Sequence, residues 1–472
     1  MQTIQKSAKK AWAKALEKPA TEFSLTPLSI IDGEIPASLN GTLYRNGPGR
    51  LERGGISVGH WFDGDGAILA VHLTGNNPSA VYRYVQTEGF KQEASAGKLL
   101  YGNYGMTAPG AIWNQWLKPI KNAANTSVLA LPDKLLALWE GDNPHALDLY
   151  HLDTLGKDDL GGLDNGLAYS AHPKVDFDTG EIFNFGISPG LNATLNIYKS
   201  DATGKIIKKA AHQLNGVPLV HDFVLAGQYL IFFIPPVRLN LFMPAIGLSC
   251  YSDALQWQPS KGTQILVIDR DTLNIISRSE TEPWFQWHFS NGYVDNSGAV
   301  IVDIASYQDF QTNQYLKEVA TGKTHTTAKS TLTRVNLNPQ TGKVNNIERL
   351  CDRHCEFPIV PQQNVGKYSR YTYLSTAKEG TDISQEILNS ISCFDHQTDS
   401  LIEANFGDNS NNIYPSEPIY AQGWILTVVY DGNSDSSEVW IFDADRLNEE
   451  PVCKLNLPSV IPPGFHGTWK DG

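Results

Sequence analysis

Beyond about residue 40 the chain alternates short apolar runs with polar turns rich in Asp, Asn and Gly. The runs KLLALWE (134–140), EIFNFGI (181–187), YLIFFI (229–234), AVIVDIA (299–305), SRYTYL (369–374) and WILTVVY (424–430) are dominated by β-branched and aromatic residues and predict strands. After the N-terminus no long segment sustains a 3.6-residue period, so any helices should be short.

The turns repeat. VDFDTGEIF, YKSDATGKII, VIDRDTLNII, NLNPQTGKVN and CFDHQTDSLI each read strand, Asp/Asn-rich turn, strand. In this hairpin chemistry Gly or Asn supplies positive φ. The later threonines, Thr203, Thr272, Thr341 and Thr398, lie 69, 69 and 57 residues apart. A several-stranded unit of that size predicts the blade of a β-propeller carrying insertions. A series of β-sandwiches is the runner-up, but radial closure better disposes of exposed strand edges.

Two regions depart from this pattern. Residues 1–25 alternate Lys with apolar residues, Trp12 and Leu16 among them, and predict an amphipathic segment ahead of a single catalytic domain over 26–472. They lack the continuous apolar run of a signal peptide or membrane span. The segments 229–248 and 103–122 (with Trp113 and Trp116) are apolar but broken by Pro, Arg or Asn. They read either as buried connections or as exposed loops that dip into a bilayer without spanning it.

Composition narrows the function. The net charge of −13 argues against nucleic-acid binding and a polybasic membrane anchor. Five cysteines give no disulfide framework and fit a reducing, cytoplasmic setting. Cys351 and Cys355 have no second pair at zinc-knuckle spacing.

Of the twelve histidines, four stand in short apolar or small-residue contexts: His172 (YSAHPKVDF), His221 (LVHDFVL), His288 (FQWHFSNGY) and His466 (GFHGTW). The first three precede predicted strands. Glu356 (CEFPIV) and Glu417 (SEPIYA) occupy the same relative place, and Glu140 ends an apolar strand beside Trp139. A buried carboxylate needs a partner. In a propeller, residues entering the first strand of successive blades converge on the axis. Four imidazoles could hold one metal there, and three carboxylates could accept a ring N–H each. Imidazole suits Zn, Cu, Fe and Ni alike, so the residues alone go no further than a transition metal.

The order of the motifs adds to this. GTLYRNGPG (41–49), HWFDGDGAI (60–68), NAANTSV (122–128), LLALWEGDNPH (135–145), SAHP (170–173), HDF (221–223), CEFP (355–358), EPI (417–419) and FHGTW (465–469) run from near the N-terminus to the end of the chain. Together they resemble the carotenoid cleavage oxygenase family. The resemblance implies an all-β, seven-bladed propeller with a few short helices and a loop-built dome over an axial Fe(II). It implies His172, His221, His288 and His466 as ligands, with Glu140 orienting His221, Glu356 orienting His288, Glu417 orienting His466, and no carboxylate for His172. It implies Thr126 beside an open coordination position, and Phe62, Trp139, Trp287 and Tyr307 along a substrate tunnel. The implied reaction is oxidative cleavage, with O2, of a double bond in an apolar apocarotenoid or carotenoid, at the central 15,15′ bond to give retinal. Cleavage elsewhere, such as 9,10, and a non-oxidative isomerase or binding protein on the same scaffold stay open. A membrane-borne substrate would give segments 103–122 and 229–248 a purpose, as the mouth of a peripherally membrane-associated enzyme; neither a protein partner nor nucleic acid is suggested. One departure is visible: the family commonly shows Phe-His-His where this chain has Trp287-His288-Phe289.

Overall fold

Side-chain hydrogen bonds in the recurring turns decide where the strands end. Asp201 Oδ1 accepts the backbone N–H of Thr203 (2.9 Å) and its hydroxyl (2.6 Å). Asp269 does the same for Thr272 (2.7 and 2.8 Å), and Asn338 accepts the N–H of Thr341 at 3.2 Å. In the fourth turn Asp395 accepts the N–H of Gln397 at 2.9 Å. The residue after each threonine lies in the left-handed region: Gly204 at 84°, Leu273 at 62°, Gly342 at 70° and Asp399 at 50°. These four corners join the third and outermost strands of four successive blades.

The computed structural model describes residues 10–74, 77–117, 119–164, 166–407 and 411–472. The chain is a seven-bladed β-propeller. From axis to rim, blade 3 runs Lys174–Val175, Ile182–Ser188, Thr194–Ser200, Ile206–Gln213. Blades 4, 5 and 6 repeat the order, starting at Val224–Ala226, Phe285–Val294 and Cys355–Ile359. The axial strand of blade 2 is Ser127–Ala130. The apolar runs seen in sequence are mostly second strands, buried on both faces, as in Tyr229–Ile234. Outer strands alternate, and the axial ones range from two residues, Lys174–Val175, to ten, Phe285–Val294.

The ring closes twice. Gly467–Asp471 becomes the axial strand of blade 1, paired with Gly41–Arg50. Ile30–Gly33 becomes the rim strand of blade 7, paired with Cys453–Asn456. Apolar side chains collect between neighbouring blades rather than on the axis: Phe183, Phe185, Phe223 and Phe232 fill one such wedge between blades 3 and 4, and Leu43, Leu69, Leu426 and Ile441 another between blades 7 and 1. The axis is thereby left to polar groups.

Over one end lies a dome of loops and short helices, including Glu88–Ala96 and Gln311–Val319. Residues 10–17 pack into it. Trp12 is wholly buried with Trp61, Tyr414 and Phe465 and donates to Gln385 O at 3.2 Å. Residues 1–9 of the expected amphipathic segment lie outside the described residues, and Phe23–Pro27 is already the rim strand of blade 1.

The segment 229–248 is corrected in part. Its first half is a buried strand, and Val237–Leu239 is paired with Leu255–Trp257. Only the helix Phe242–Ala245 and its flank reach the surface, with Phe242 and Leu248 exposed. The indole of Trp116 donates to Ala245 O at 3.0 Å, so the two apolar segments form one surface. Lys118 lies outside the described residues.

Candidate metal centre

Each blade delivers one residue to the axis. His466 from blade 1, Thr126 from blade 2, His172, His221 and His288 from blades 3, 4 and 5 and Glu356 from blade 6 lie at or just before the innermost strand; Glu417 of blade 7 lies between the two short inner segments Ile413–Pro415 and Ile419–Ala421. Two of these positions are made by irregular backbone. The pairing of Phe285–Val294 shifts register between Gln286 and Phe289, around His288. That of Cys355–Ile359 shifts after Glu356, where Phe357 takes a φ of 51°. Such bulges re-aim side chains. Phe357 then stacks on His288 with ring centroids 5.2 Å apart.

The four imidazoles offer nitrogen atoms within 4.8 Å of one another. Nε2 of His172 lies 3.0 Å from that of His221, His221 3.3 Å from His288, and His288 3.1 Å from His466. On the far side of the rings, Nδ1 of His288 donates to Glu356 at 2.6 Å and Nδ1 of His466 to Glu417 at 2.9 Å. Glu140 Oε1 lies 2.6 Å from Nδ1 of His221 and 3.8 Å from Nε2 of His172.

This donor set fits a metal ion. With their Nδ1 protons committed to carboxylates, His288 and His466 turn bare Nε2 lone pairs on each other at 3.1 Å. That arrangement repels unless a cation lies between. Burial holds His172 and His466 well below the usual imidazole range, with their histidine neighbours adding to the effect, so protons are poor substitutes for a cation. For His221 burial acts in the same direction, but the Glu140 carboxylate outweighs it and the net shift is upward.

The carboxylates are themselves braced. Glu356 accepts from Phe357 N (2.9 Å) and the Tyr307 hydroxyl (2.9 Å). Burial by itself would raise its pKa, but the contact with His288 and these bonds bring it below the usual carboxylate range. Burial pushes Glu417 up to about 7, with Arg45 opposing. Glu417 accepts Gly467 N–H at 2.8 Å. The buried Arg45 guanidinium lies 3.7 Å from its carboxylate and donates to Glu417 O (3.1 Å) and Phe465 O (3.0 Å). Arg45 thus joins the strands carrying Glu417 and His466, and sequence reasoning missed it. Its signal was a charged residue inside an otherwise buried ten-residue strand. Close backbone approach completes the corner: a Cβ on Gly467 would meet Tyr44 O at 2.5 Å.

The centre lies between two cavities. One, of about 350 Å³, is lined by the axial strands and includes Lys174 paired with Asp222 at 2.8 Å. The other, of about 110 Å³, lies under the dome and is walled by Phe62, Trp287, Tyr307 and Thr126 among others. Trp287 is edge-on to both His221 and Phe62, and its indole donates to Thr312 at 3.0 Å. Thr126 donates to Asn125 Oδ1 at 3.2 Å. Trp139 is not among the residues walling either cavity; it is half-buried and bridges Tyr169 through its backbone.

The profile of the retinal pigment epithelial membrane protein family matches residues 16–471. The apocarotenoid-15,15′-oxygenase of Synechocystis sp. is 33% identical, over 97% of this chain and 96% of that protein. The chain belongs to the carotenoid cleavage oxygenase family. Resveratrol cleavage oxygenase 1 of Aspergillus fumigatus is 27% identical over 93% of this chain and 91% of its own length. The crystal structure of cobalt-substituted Synechocystis ACO superposes with a TM-score of 0.88 at 30% identity, covering 98% of both chains. The relatives are named as oxygenases, and this chain's four-histidine centre is able to hold a metal.

The geometry ranks the carboxylates. Glu356→Gln should weaken metal binding about 10–100-fold, the usual cost of disturbing a group that orients a ligand. Glu140→Gln should cost less, because Glu140 is 31% exposed and water screens its hold on the ring. Competition against a chelator measures both; the reverse order would contradict this ranking.

Proposed function

We propose that the chain is a non-haem Fe(II) dioxygenase that cleaves a double bond of an apocarotenoid, at the central 15,15′ position, to give retinal. The observation that carries this reading is the axial four-histidine cluster opening beneath a cavity walled by aromatic rings; the likeness to the apocarotenoid-15,15′-oxygenase of Synechocystis supports the position of cleavage. His172, His221, His288 and His466 would hold the iron, and Glu140, Glu356 and Glu417 would fix the rings and offset its charge. When bound, ferrous iron supplies the dioxygen chemistry: the C=C and O–O bonds are lost and two carbonyl groups form. The chain's own part is placement. Phe62, Trp287 and Tyr307 hold a planar polyene against the centre, and the dome keeps bulk water out. Thr126, from blade 2, lines the dome cavity and accepts the backbone N–H of His466 at 3.2 Å, so it would stand next to the bound ion.

Protein loaded with Fe(II), given an apocarotenal and labelled O2, should release labelled aldehydes whose masses identify the bond. An unchanged substrate spectrum with iron bound would sink the reading; masses for cleavage at 9,10 would move the site of attack. His221→Ala should abolish iron binding, and stoichiometric iron in that variant would refute the ligand set.

The exposed surface formed by Trp113, Trp116, Phe242 and Leu248 fits docking on a membrane, where the substrate dissolves. Among the described residues no helix is long and apolar enough to cross one. Burying such a side chain is worth about 1.5–3 kcal/mol. Trp113→Ser with Phe242→Ser should therefore reduce co-sedimentation with lipid vesicles by about 100-fold or more while leaving turnover of detergent-solubilised substrate unchanged. Equal sedimentation would exclude this surface as the contact.

A further inference from the structure

Two of the motifs that supply candidate ligands also supply a charge. Lys174 comes two residues after His172, and Asp222 directly follows His221. Both line the axial cavity of about 350 Å³ that also reaches His172, His288 and His466.

Asp222 is 2% exposed. A carboxylate so deeply buried is costly unless its oxygens are bonded. Here donors meet it from three blades. Oδ1 accepts the N–H of Phe223, on its own blade 4, at 2.8 Å. Lys174 Nζ, from blade 3, lies 2.8 Å from the same oxygen and 5.9 Å from the centre of the Phe223 ring. Oδ2 accepts the N–H of Phe289, from blade 5, at 3.1 Å. Phe289 is the residue after His288, at the end of the register shift that re-aims that imidazole.

The three blades tied in this way are the three that carry His172, His221 and His288. Apolar packing between blades is non-directional. A carboxylate bonded on both oxygens has direction and length, and its bond to an ammonium is charge-assisted. Glu356 and Glu417 each hold one ring. Asp222 instead holds the backbone beside two ligands and the side chain two residues beyond a third. His172 gains most, because Glu140 comes no closer to it than 3.8 Å.

We propose that Asp222 is a positioning residue for the metal centre: its carboxylate ties blades 3, 4 and 5 together and so sets the spacing of His172, His221 and His288. The inference rests on the reading of the four histidines as a metal centre and adds to it what fixes their separations.

The test uses Co(II) as the probe metal, with affinity from chelator competition and ligand geometry from the visible absorption bands at saturating metal. Asp222→Ala should weaken binding by about 10–100-fold, the usual cost of losing a group that orients ligands, and should shift the cobalt bands. Asp222→Asn, which keeps an acceptor oxygen for Phe289, should recover part of the affinity and bands closer to those of the wild type. Lys174→Met should cost less than Asp222→Ala. Added to Asp222→Ala it should cost nothing more, since both act through one carboxylate. An Asp222→Ala protein that is less stable but keeps wild-type affinity and bands would overturn the proposal, leaving Asp222 a purely structural residue. Asn no better than Ala would also overturn it, because charge and not position would then be the cause. Should Asp222→Ala not fold, unchanged affinity and bands in both Asp222→Asn and Lys174→Met would refute the tie. A wild-type protein that takes up no cobalt would overturn the metal centre itself, and the tie with it.

Discussion

Deleting residues 466–472 should remove the metal and destabilise the whole propeller, whereas His466→Ala should remove the metal and leave most of the stability. The deleted segment does two jobs. It carries one of the four candidate ligands, and its strand Gly467–Asp471 closes blade 1 against Gly41–Arg50. Trp469 is buried in the wedge between blades 7 and 1, and loss of a buried aromatic side chain alone costs about 3–5 kcal/mol. The vacated backbone of Gly41–Arg50 would also lose its partner strand. Metal content by elemental analysis and unfolding by denaturant separate the two contributions. A truncated chain that keeps stoichiometric metal would remove His466 from the centre; one that keeps wild-type stability would remove the strand from the closure.

Arg45→Met should be nearly as damaging, though Arg45 is no candidate ligand. The guanidinium is buried, and burial lowers it to about 10 despite the neighbouring carboxylate. Its removal leaves Glu417 in a desolvated pocket without a cation and leaves two carbonyl oxygens short of donors. Breaking a buried pair from one side costs about 3–5 kcal/mol. Because Glu417 bonds His466, metal affinity should fall too. Arg45→Met combined with Glu417→Gln should recover part of the stability but not the affinity, since the stranded charge is gone while the imidazole is still poorly held. Denaturant midpoints and chelator competition on the single and double variants check this. Equal damage in both would mean that Arg45 acts through packing alone.

The sequence showed the propeller because its second strands are buried on both faces and therefore read as unbroken apolar runs. The axial strands were invisible for the opposite reason. Lys174–Val175 is two residues long and half-buried, so no periodicity can develop. For the same reason His172 and His221 seemed to precede the second strands, when a strand of two or three residues intervenes; His288 instead lies inside the ten-residue axial strand of blade 5. The histidines stood out by their local context, but their convergence depends on the ring, and Glu140, at the end of a second strand, does not share the others' axial placement. The segment 229–248 shows where hydropathy fails. A core strand, a Pro235–Pro236 corner and an exposed helix are equally apolar in sequence, and only the fold tells burial from display.

Propellers vary in blade number because blades resemble one another and can be gained or lost as units. This ring has little such freedom. Its seven axial positions hold four histidines, two glutamates and one threonine, one from each blade. Removing any blade would delete a particular ligand, brace or neighbour, and adding one would widen the circle beyond the reach of imidazoles now 3.0–3.3 Å apart. The chemistry at the hub therefore fixes the number of spokes, and in this lineage the count should change only where the centre has been abandoned.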